Sequence, residues 1–220
     1  MPEHLNSDFA YVGHRSYIRG VDLFGFFLRS LKATPGEPAF PAEIRSFRMS
    51  RELERNGHWQ SAEDPVDPPD GPDPSAILHY VTGDGRHGSA VFVESGEIIT
   101  RTEQDIPSVV FKVEPLSDFS GRSSLIPPVD FMRLLNGLVE ANKALHVSTL
   151  NKRGLVAGGI RFVYAEGMPV LGALAPCEST VALAFTHRGA RSMGNRTYTL
   201  NEVAISWDDA DRRAIVCFSY

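Results

Sequence analysis

The chain has 220 residues, of which 42% are hydrophobic and 22% are charged, and its formal net charge is −5 at neutral pH. This composition suffices for a large apolar core, while the negative charge argues against nucleic acid as the main partner, because phosphate binding needs a basic surface. No run approaches the roughly 18 apolar residues of a membrane span, and the first residues lack the basic start and apolar core of a secretory signal. We therefore expect a cytoplasmic protein that does not enter a membrane.

The two cysteines, Cys177 and Cys217, have neither metal-binding nor redox spacing. Cys217 lies in an apolar run, which indicates a buried free thiol. The sequence has no paired histidines at metal spacing, no Gly-x-Ser-x-Gly elbow, no phosphate-binding Gly-Lys-Ser/Thr loop and no dinucleotide fingerprint. We expect no metal site and no required cofactor.

The first half of the chain is organised around residues 20–32, which would form a helix that is apolar almost all round and must therefore be buried. This helix should stop before Thr34-Pro35-Gly36, which breaks helices. Residues 63–74 hold five prolines and five acidic residues, a composition that predicts an exposed loop. Strands are predicted at 9–18, 43–50, 75–82, 89–94 and 97–102.

The second half repeats this order around a second apolar helix, predicted at 128–145. Residues 118–122 are predicted to be a loop, and residues 186–196 a turn. Strands are predicted at 108–113, 159–165, 180–186, 197–207 and 212–220. The chain therefore divides into two predicted units, 1–106 and 107–220, packed as one domain. A seven- to nine-stranded sandwich and a lipocalin-like barrel are the alternative folds, but neither explains two buried helices at equivalent places.

Two copies of a strand, an apolar helix and several antiparallel strands resemble a tandem, or double, hotdog fold, an α+β arrangement in which each antiparallel sheet wraps a central helix. Residues 17–21, Tyr-Ile-Arg-Gly-Val, resemble the helix entry of hotdog 3-hydroxyacyl dehydratases. Those enzymes have a catalytic histidine nine residues ahead of the glycine, where this chain has Tyr11, so the resemblance implies the fold more than dehydration. Hotdog enzymes generally place acyl-thioester sites near the interface between units, which is where the resemblance puts a site here.

Alignment of the two helices on their Val-Asp pairs matches Asp22 with Asp130 and places Asn136 opposite an apolar residue. A carboxylate at each helix start is suited to a general base, and the free N–H groups there to polarising a carbonyl. His14, close to the first helix, is the histidine best placed to move a proton. The four catalytic candidates also have structural interpretations: helix capping for the aspartates, hydrogen bonding for Asn136 and a plain loop position for His14.

Three arginines, Arg188, Arg191 and Arg196, lie close together in an otherwise acidic protein. Arginine binds phosphate through two parallel hydrogen bonds. We therefore predict that they bind the phosphate end of coenzyme A, or of the phosphopantetheine of a carrier protein, as part of the substrate. A solvated hairpin is the alternative.

The resulting hypothesis is a protein that binds, and in an active form hydrolyses or dehydrates, an acyl thioester between its two units. The expected partners are a small-molecule acyl thioester or an acyl-carrier protein. The sequence is also compatible with a homodimer. Two other functions stay open: a non-catalytic hotdog protein that holds an acyl group or lipid, and a structural or assembly subunit that binds a partner protein.

Overall fold

The computed structural model describes residues 7–12, 17–33, 41–62, 74–103, 110–155, 159–171 and 176–220. The chain forms two compact units, Met1–Pro107 and Ser108–Tyr220. Within the described ranges, no helix combines the length and apolarity that crossing a membrane would require.

In its described residues the first unit contains one helix, α1 (Gly20–Ala33), and a four-stranded antiparallel sheet. Its strands are β1 (Tyr11–Val12), β2 (Pro41–Met49), β3 (Arg55–Ala62), β4 (Ala76–Thr82), β5 (His87–Ile98) and β6 (Thr102–Glu103). The main sheet has the order β3-β5-β4-β2, and β1 pairs with β6 in parallel. The predicted strand at 9–18 is thus only two residues long where it is described, and the proline-rich segment at 63–73 and the predicted helix breaker at 34–36 lie outside the described residues.

Helix α1 is buried because its side chains pack against this sheet. Phe24 and Phe27 have no exposed surface. The Phe24 ring centroid lies 4.2 Å from that of Phe47 on β2, and Phe27 lies 5.5 Å from Trp59 on β3 and 5.4 Å from Tyr80 on β4. Burial of each such aromatic side chain stabilises the fold by roughly 1.5–3 kcal/mol. The predicted buried helix is confirmed.

The second unit wraps a longer helix, α2 (Phe131–Lys152). Its strands are β7 (Val110–Ser117), β8 (Ser120–Leu125), β9 (Arg161–Pro169), β10 (Val181–Met193), β11 (Arg196–Trp207) and β12 (Ala210–Ser219). They form antiparallel neighbours in the order β9-β12-β11-β10-β8-β7, and α2 packs against β7, β8 and β10.

Helix α2 begins three residues later and ends seven residues later than predicted. Asp130 precedes it as the N-cap, with an extended backbone and a side chain that accepts from the Arg133 N–H. At the other end the Leu155 N–H donates to the Leu150 carbonyl, and Gly154 takes a φ of 70°, which glycine adopts readily. This C-terminal cap, rather than the end of the apolar run, sets the length of the helix.

Each unit therefore has the hotdog arrangement, an antiparallel sheet around a buried helix, and the two occur in tandem, which confirms the predicted fold. Residues 55–62, for which the sequence analysis made no prediction, form strand β3. Local predictions were wrong elsewhere: residues 120–125 form β8 where a loop was expected. Strands β10 and β11 run through most of the predicted turn at 186–196, leaving Gly194 and Asn195 as the turn.

Candidate functional site

Asp22 lies in the first turn of α1 and forms an ion pair with Arg19. The Arg19 Nε donates to Oδ2 at 2.8 Å and Nη2 donates to Oδ1 at 2.5 Å. Both side chains are largely buried, so the pair is close to a bidentate arginine–carboxylate contact. The carboxylate therefore has a structural partner in the residue immediately before its own helix, and its predicted catalytic role remains a prediction.

Asp130 has a different position in its helix. Its Oδ1 accepts a hydrogen bond of 2.8 Å from the Arg133 N–H, so it caps α2 from outside, whereas Asp22 is the third residue of α1. The Val-Asp alignment therefore does not place the two carboxylates at equivalent helix positions. Capping accounts for Asp130 structurally and leaves its Oδ2 outside that bond.

Asn136 is half-buried, and its Nδ2 donates to the Met132 carbonyl one turn earlier at 2.9 Å. This bond to its own helix matches the structural interpretation of Asn136, in which the amide serves hydrogen bonding within the protein. His14 lies outside the described residues. The roles proposed for both residues in contacting a substrate remain predictions.

The three predicted phosphate-binding arginines share one face of the β10–β11 hairpin. Arg191 pairs with Tyr198 and Met193 with Arg196, and partners across a ladder face the same side. Arg188 is on this side too, because its Nη2 donates to Glu202 at 2.6 Å. We call the surface formed by these three arginines, Met193, Tyr198 and Leu200 the basic face.

The basic face combines charge with exposed apolar surface. Met193 is 57% exposed and Leu200 is 38% exposed. Glu202 is the acidic neighbour, and it is shared between Arg188 and Arg213. Within the described residues Arg191 has no ion-pair partner, while Arg196 lies 3.4 Å from the Ser219 hydroxyl. The three arginines therefore lie on one face of the hairpin, and their role in binding phosphate remains a prediction.

The opposite, inner face of the same hairpin packs on α2 and contributes to a buried polar cluster that the sequence analysis missed. Its fully or nearly fully buried members come from α2 and from β11, and they are Asn142, His146, Thr149, Thr199 and Asn201. The three helical members are spaced by four and three residues, so they lie on one face of α2. That spacing is a usable sequence signal, but the predicted helix ended at residue 145, before two of them.

His146 connects the helix to the sheet. Its Nδ1 is 2.8 Å from the Asn142 carbonyl oxygen, and its Nε2 is 2.5 Å from the Thr199 hydroxyl. Because a carbonyl oxygen only accepts, Nδ1 carries the proton and Nε2 accepts from Thr199. Burial lowers the pKa of His146 to about 4, so the imidazole is neutral at physiological pH.

Asn201 connects β11 to three other parts of the unit. Its Nδ2 donates to the Phe119 carbonyl at 3.0 Å and to the Asn142 Oδ1 at 2.8 Å, and its Oδ1 lies 3.1 Å from Nδ1 of His187 on β10. The Nδ2 of Asn142 is buried without a partner in the described structure. Burial of an amide N–H without a hydrogen-bond partner costs folding free energy, so such a group is unusual in a purely structural network.

Phe119 closes the cluster at the turn between β7 and β8. Its φ is 55°, a left-handed conformation that a bulky residue seldom adopts. Its N–H donates to the Thr149 hydroxyl at 2.8 Å, and its ring centroid lies 4.8 Å from that of His146 and 5.1 Å from that of His187. The Arg153 guanidinium lies over the ring, 5.3 Å from its centroid. Strained backbone supported by several contacts is a feature of functional sites.

Neither cysteine belongs to this cluster. Both are free thiols and half-buried. Burial raises the pKa of the Cys217 thiol to about 11, so it is protonated and a poor nucleophile at neutral pH. In the described ranges no group of three or more His, Cys, Asp or Glu residues is arranged to hold a metal ion.

Comparison with known proteins gives structural likeness only. No protein-family model and no curated protein matches the sequence. Among solved structures, a candidate oleoyl thioesterase from Lactobacillus plantarum is 10% identical, with a TM-score of 0.49 and coverage of 97% of this chain and 94% of that one. A protein of unknown function with a hot dog fold from Alicyclobacillus acidocaldarius is 12% identical, with a TM-score of 0.46 and coverage of 93% and 86%.

A monomeric dehydratase domain from a trans-AT polyketide synthase split module is 11% identical, with a TM-score of 0.47 and coverage of 99% of this chain and 98% of that one. Sequence identities this low do not establish a shared activity.

Proposed function

We propose that this protein binds an acyl thioester of coenzyme A, or of the phosphopantetheine arm of a carrier protein, with the phosphate end of the ligand on the basic face of the β10–β11 hairpin. The basic face is the observation that carries the proposal. It presents Arg188, Arg191 and Arg196 on one surface of a chain whose net charge is −5. A local positive surface in an acidic protein is suited to an anionic ligand.

The apolar residues of the basic face fit the rest of such a ligand. Coenzyme A and phosphopantetheine combine phosphate with aliphatic segments, and coenzyme A adds an adenine ring. Met193 and Leu200 offer exposed apolar contact beside the guanidinium groups, and the Tyr198 ring is available for stacking. Binding of inorganic phosphate alone would not require these exposed apolar side chains.

A non-catalytic binder is the second candidate, and the two aspartates favour it. Asp22 is paired with Arg19 and Asp130 caps its own helix, so both predicted carboxylates already have structural interactions. A protein that holds a thioester without converting it needs no general base at either helix start. Hydrolysis or dehydration would instead require a proton-transferring group elsewhere in the chain.

Calorimetric titration with coenzyme A and with acyl-coenzyme A esters tests the proposal. We expect the double variant Arg191→Gln/Arg196→Gln to bind at least about tenfold more weakly, because a hydrogen bond to a charged group contributes about 1.5–3 kcal/mol. Arg45→Gln is the matched control, since this exposed arginine of the first unit pairs with Glu43. Equal affinity in the double variant and the wild type would remove the basic face from binding, and release of free coenzyme A thiol would distinguish an enzyme from a binder.

A further inference from the structure

His187 lies on the inner face of β10, opposite Asn201 in the ladder and immediately before a β-bulge that ends at Gly189. The side chain is half-buried, in contrast to the fully buried His146. Its Nδ1 is 3.1 Å from the Asn201 Oδ1, and within the described part of the chain its Nε2 has no hydrogen-bond partner. One ring nitrogen is therefore held while the other remains available.

The amide network fixes which nitrogen carries the proton. Asn201 uses its Nδ2 for two acceptors, the Phe119 carbonyl and the Asn142 Oδ1, so the oxygen of its amide must face His187. An amide oxygen only accepts, and Nδ1 of His187 therefore donates. In the neutral imidazole this leaves the lone pair on Nε2, which is the arrangement that a general base needs.

The ring is also held in position. The Phe119 ring packs against it at 5.1 Å between centroids, and the backbone N–H of His187 donates to the Ser120 hydroxyl at 3.0 Å. The charged and titratable groups around it are His146 from α2, Arg153 immediately after α2, and Asp118 from the β7–β8 turn. Arg153 donates to Asp118 at 2.5 Å, so this carboxylate, which interacts with His187, already has a cation partner.

The edge of β10 connects His187 with the basic face. Strand β8 pairs with β10 only from Val181 to Phe185. In the described structure the ladder partner of residues 189–193 is β11 alone. A flexible pantetheine arm bound to the arginines on one face can therefore pass this unpaired edge toward the imidazole on the other.

We propose that His187 is a general base for hydrolysis of the bound thioester, an inference that rests on the proposed function and adds a catalytic group to it. Nε2 takes a proton from a water molecule while the water oxygen bonds to the thioester carbonyl carbon. The tetrahedral intermediate collapses with cleavage of the C–S bond, and the imidazolium returns the proton to the departing thiolate. The products are a carboxylic acid and a free thiol, and no oxidant or metal is needed. Asn201 acts as a positioning residue that orients the ring.

The test compares wild type, His187→Gln and the control His79→Gln, each assayed for acyl-coenzyme A binding by calorimetry and for single-turnover thiol release. His79 is a half-buried histidine on β4 of the first unit, whereas the amide network belongs to the second unit. We expect His187→Gln to lose at least about 100-fold in rate, the usual contribution of a general base. Its affinity should stay within about threefold of wild type, and His79→Gln should match wild type in both measurements.

The remaining outcomes separate the two proposals. Hydrolysis by wild type that persists in His187→Gln overturns the role of His187 and leaves thioester binding intact. Binding by wild type without thiol release also overturns the role of His187 and supports the non-catalytic binder. Absence of both binding and hydrolysis in wild type overturns the proposed function and, with it, this assignment. A fall in rate accompanied by an equal loss of affinity would make His187 a binding residue rather than a base.

Discussion

The imidazole of His146 is kept neutral in the folded protein by burial between α2 and β11. Protonation of this residue therefore favours the unfolded state. In the unfolded chain a histidine titrates near its ordinary value of 6.5, whereas the folded pKa is about 4. Above pH 6.5 neither state binds the proton, and the contribution of this residue to stability is fully present. As the pH falls from 6.5 toward 4, the unfolded state gains the proton first, so stability is lost.

We expect acid to cost the wild type up to about 3 kcal/mol through this residue, since each pKa unit corresponds to about 1.36 kcal/mol. Urea titrations of wild type and His146→Gln at several pH values between 7 and 4 would measure the effect. The variant should be less stable at pH 7, because it disturbs a buried network, but should lose less on acidification. Parallel loss in both proteins would show that other groups govern the acid response.

Two substitutions of Asp130 distinguish its hydrogen bond as the N-cap of α2 from the negative charge of its carboxylate. Asp130→Ala removes the acceptor for the Arg133 N–H, and we expect a loss of about 0.5–2 kcal/mol in the free energy of unfolding. Asp130→Asn keeps an acceptor of similar shape and should stay within about 0.5 kcal/mol of wild type, because asparagine is an equally good N-cap. Urea denaturation measures both.

The same asparagine variant tests the predicted chemistry of the carboxylate. Loss of thioester turnover with a melting temperature within a few degrees of wild type would assign the negative charge to the reaction. Unchanged turnover in Asp130→Asn, together with unchanged turnover in Asp22→Asn, would limit both aspartates to the structural interactions seen here.

At the level of elements, strand β8 is positioned by how closely its neighbours approach Gly121. A Cβ at Gly121 would lie 2.4 Å from the Glu114 carbonyl oxygen on β7 and 2.5 Å from Leu145 on α2. Gly189 on β10 has nothing within 4 Å of the corresponding position. We expect Gly121→Ala to destabilise the protein by about 1–3 kcal/mol through overpacking, and Gly189→Ala to change stability by no more than about 0.5 kcal/mol.

Thermal and urea denaturation of the two glycine variants measure this contrast. A Gly121→Ala protein as stable as wild type would mean that β7 and α2 can move apart at low cost. The comparison is direct because both residues lie in strands of the same unit and each variant adds a single methyl group.

The elements that sequence alone predicted are those whose side chains carry a clear pattern. Helix α1 is apolar almost all round, residues 43–49 of β2 alternate between polar and apolar side chains, and β12 contains the apolar run 214–218. Strand β8, Ser-Gly-Arg-Ser-Ser-Leu, has few β-forming residues, and its conformation comes from ladders with β7 on one side and β10 on the other. Local propensity could not predict it, because tertiary pairing overrides propensity at such positions.

The candidate sites divide in the same way. The cluster of arginines was visible because Arg188, Arg191 and Arg196 are close in sequence. The network around His187 was not, because it depends on contacts such as the Asn201–Phe119 bond, which joins residues 82 positions apart. Strand register and the turn conformation of Phe119 create that contact, and neither was determined by the local pattern.

At the scale of the whole molecule, binding of the proposed ligand should stabilise only the second unit. All residues of the basic face belong to Ser108–Tyr220. Hydrogen exchange measured by mass spectrometry, with and without saturating coenzyme A, should show added protection in Val181–Trp207, and the first unit should be little affected. At a ligand concentration about 100 times Kd, binding adds about 2.7 kcal/mol to the stability of what it binds. Protection confined to Met1–Pro107 would place the ligand elsewhere.

Acid sensitivity is distributed unequally along the chain. His146 belongs to the second unit, whereas the buried polar side chains described in the first unit are the hydroxyl groups of Ser7, Ser75, Thr82 and Ser89, which do not titrate in this range. Mild acid should thus loosen one half before the other and separate a single cooperative transition into two. The chain contains two tryptophans, Trp59 and Trp207, one in each unit, so each half carries its own fluorescent reporter of when it melts.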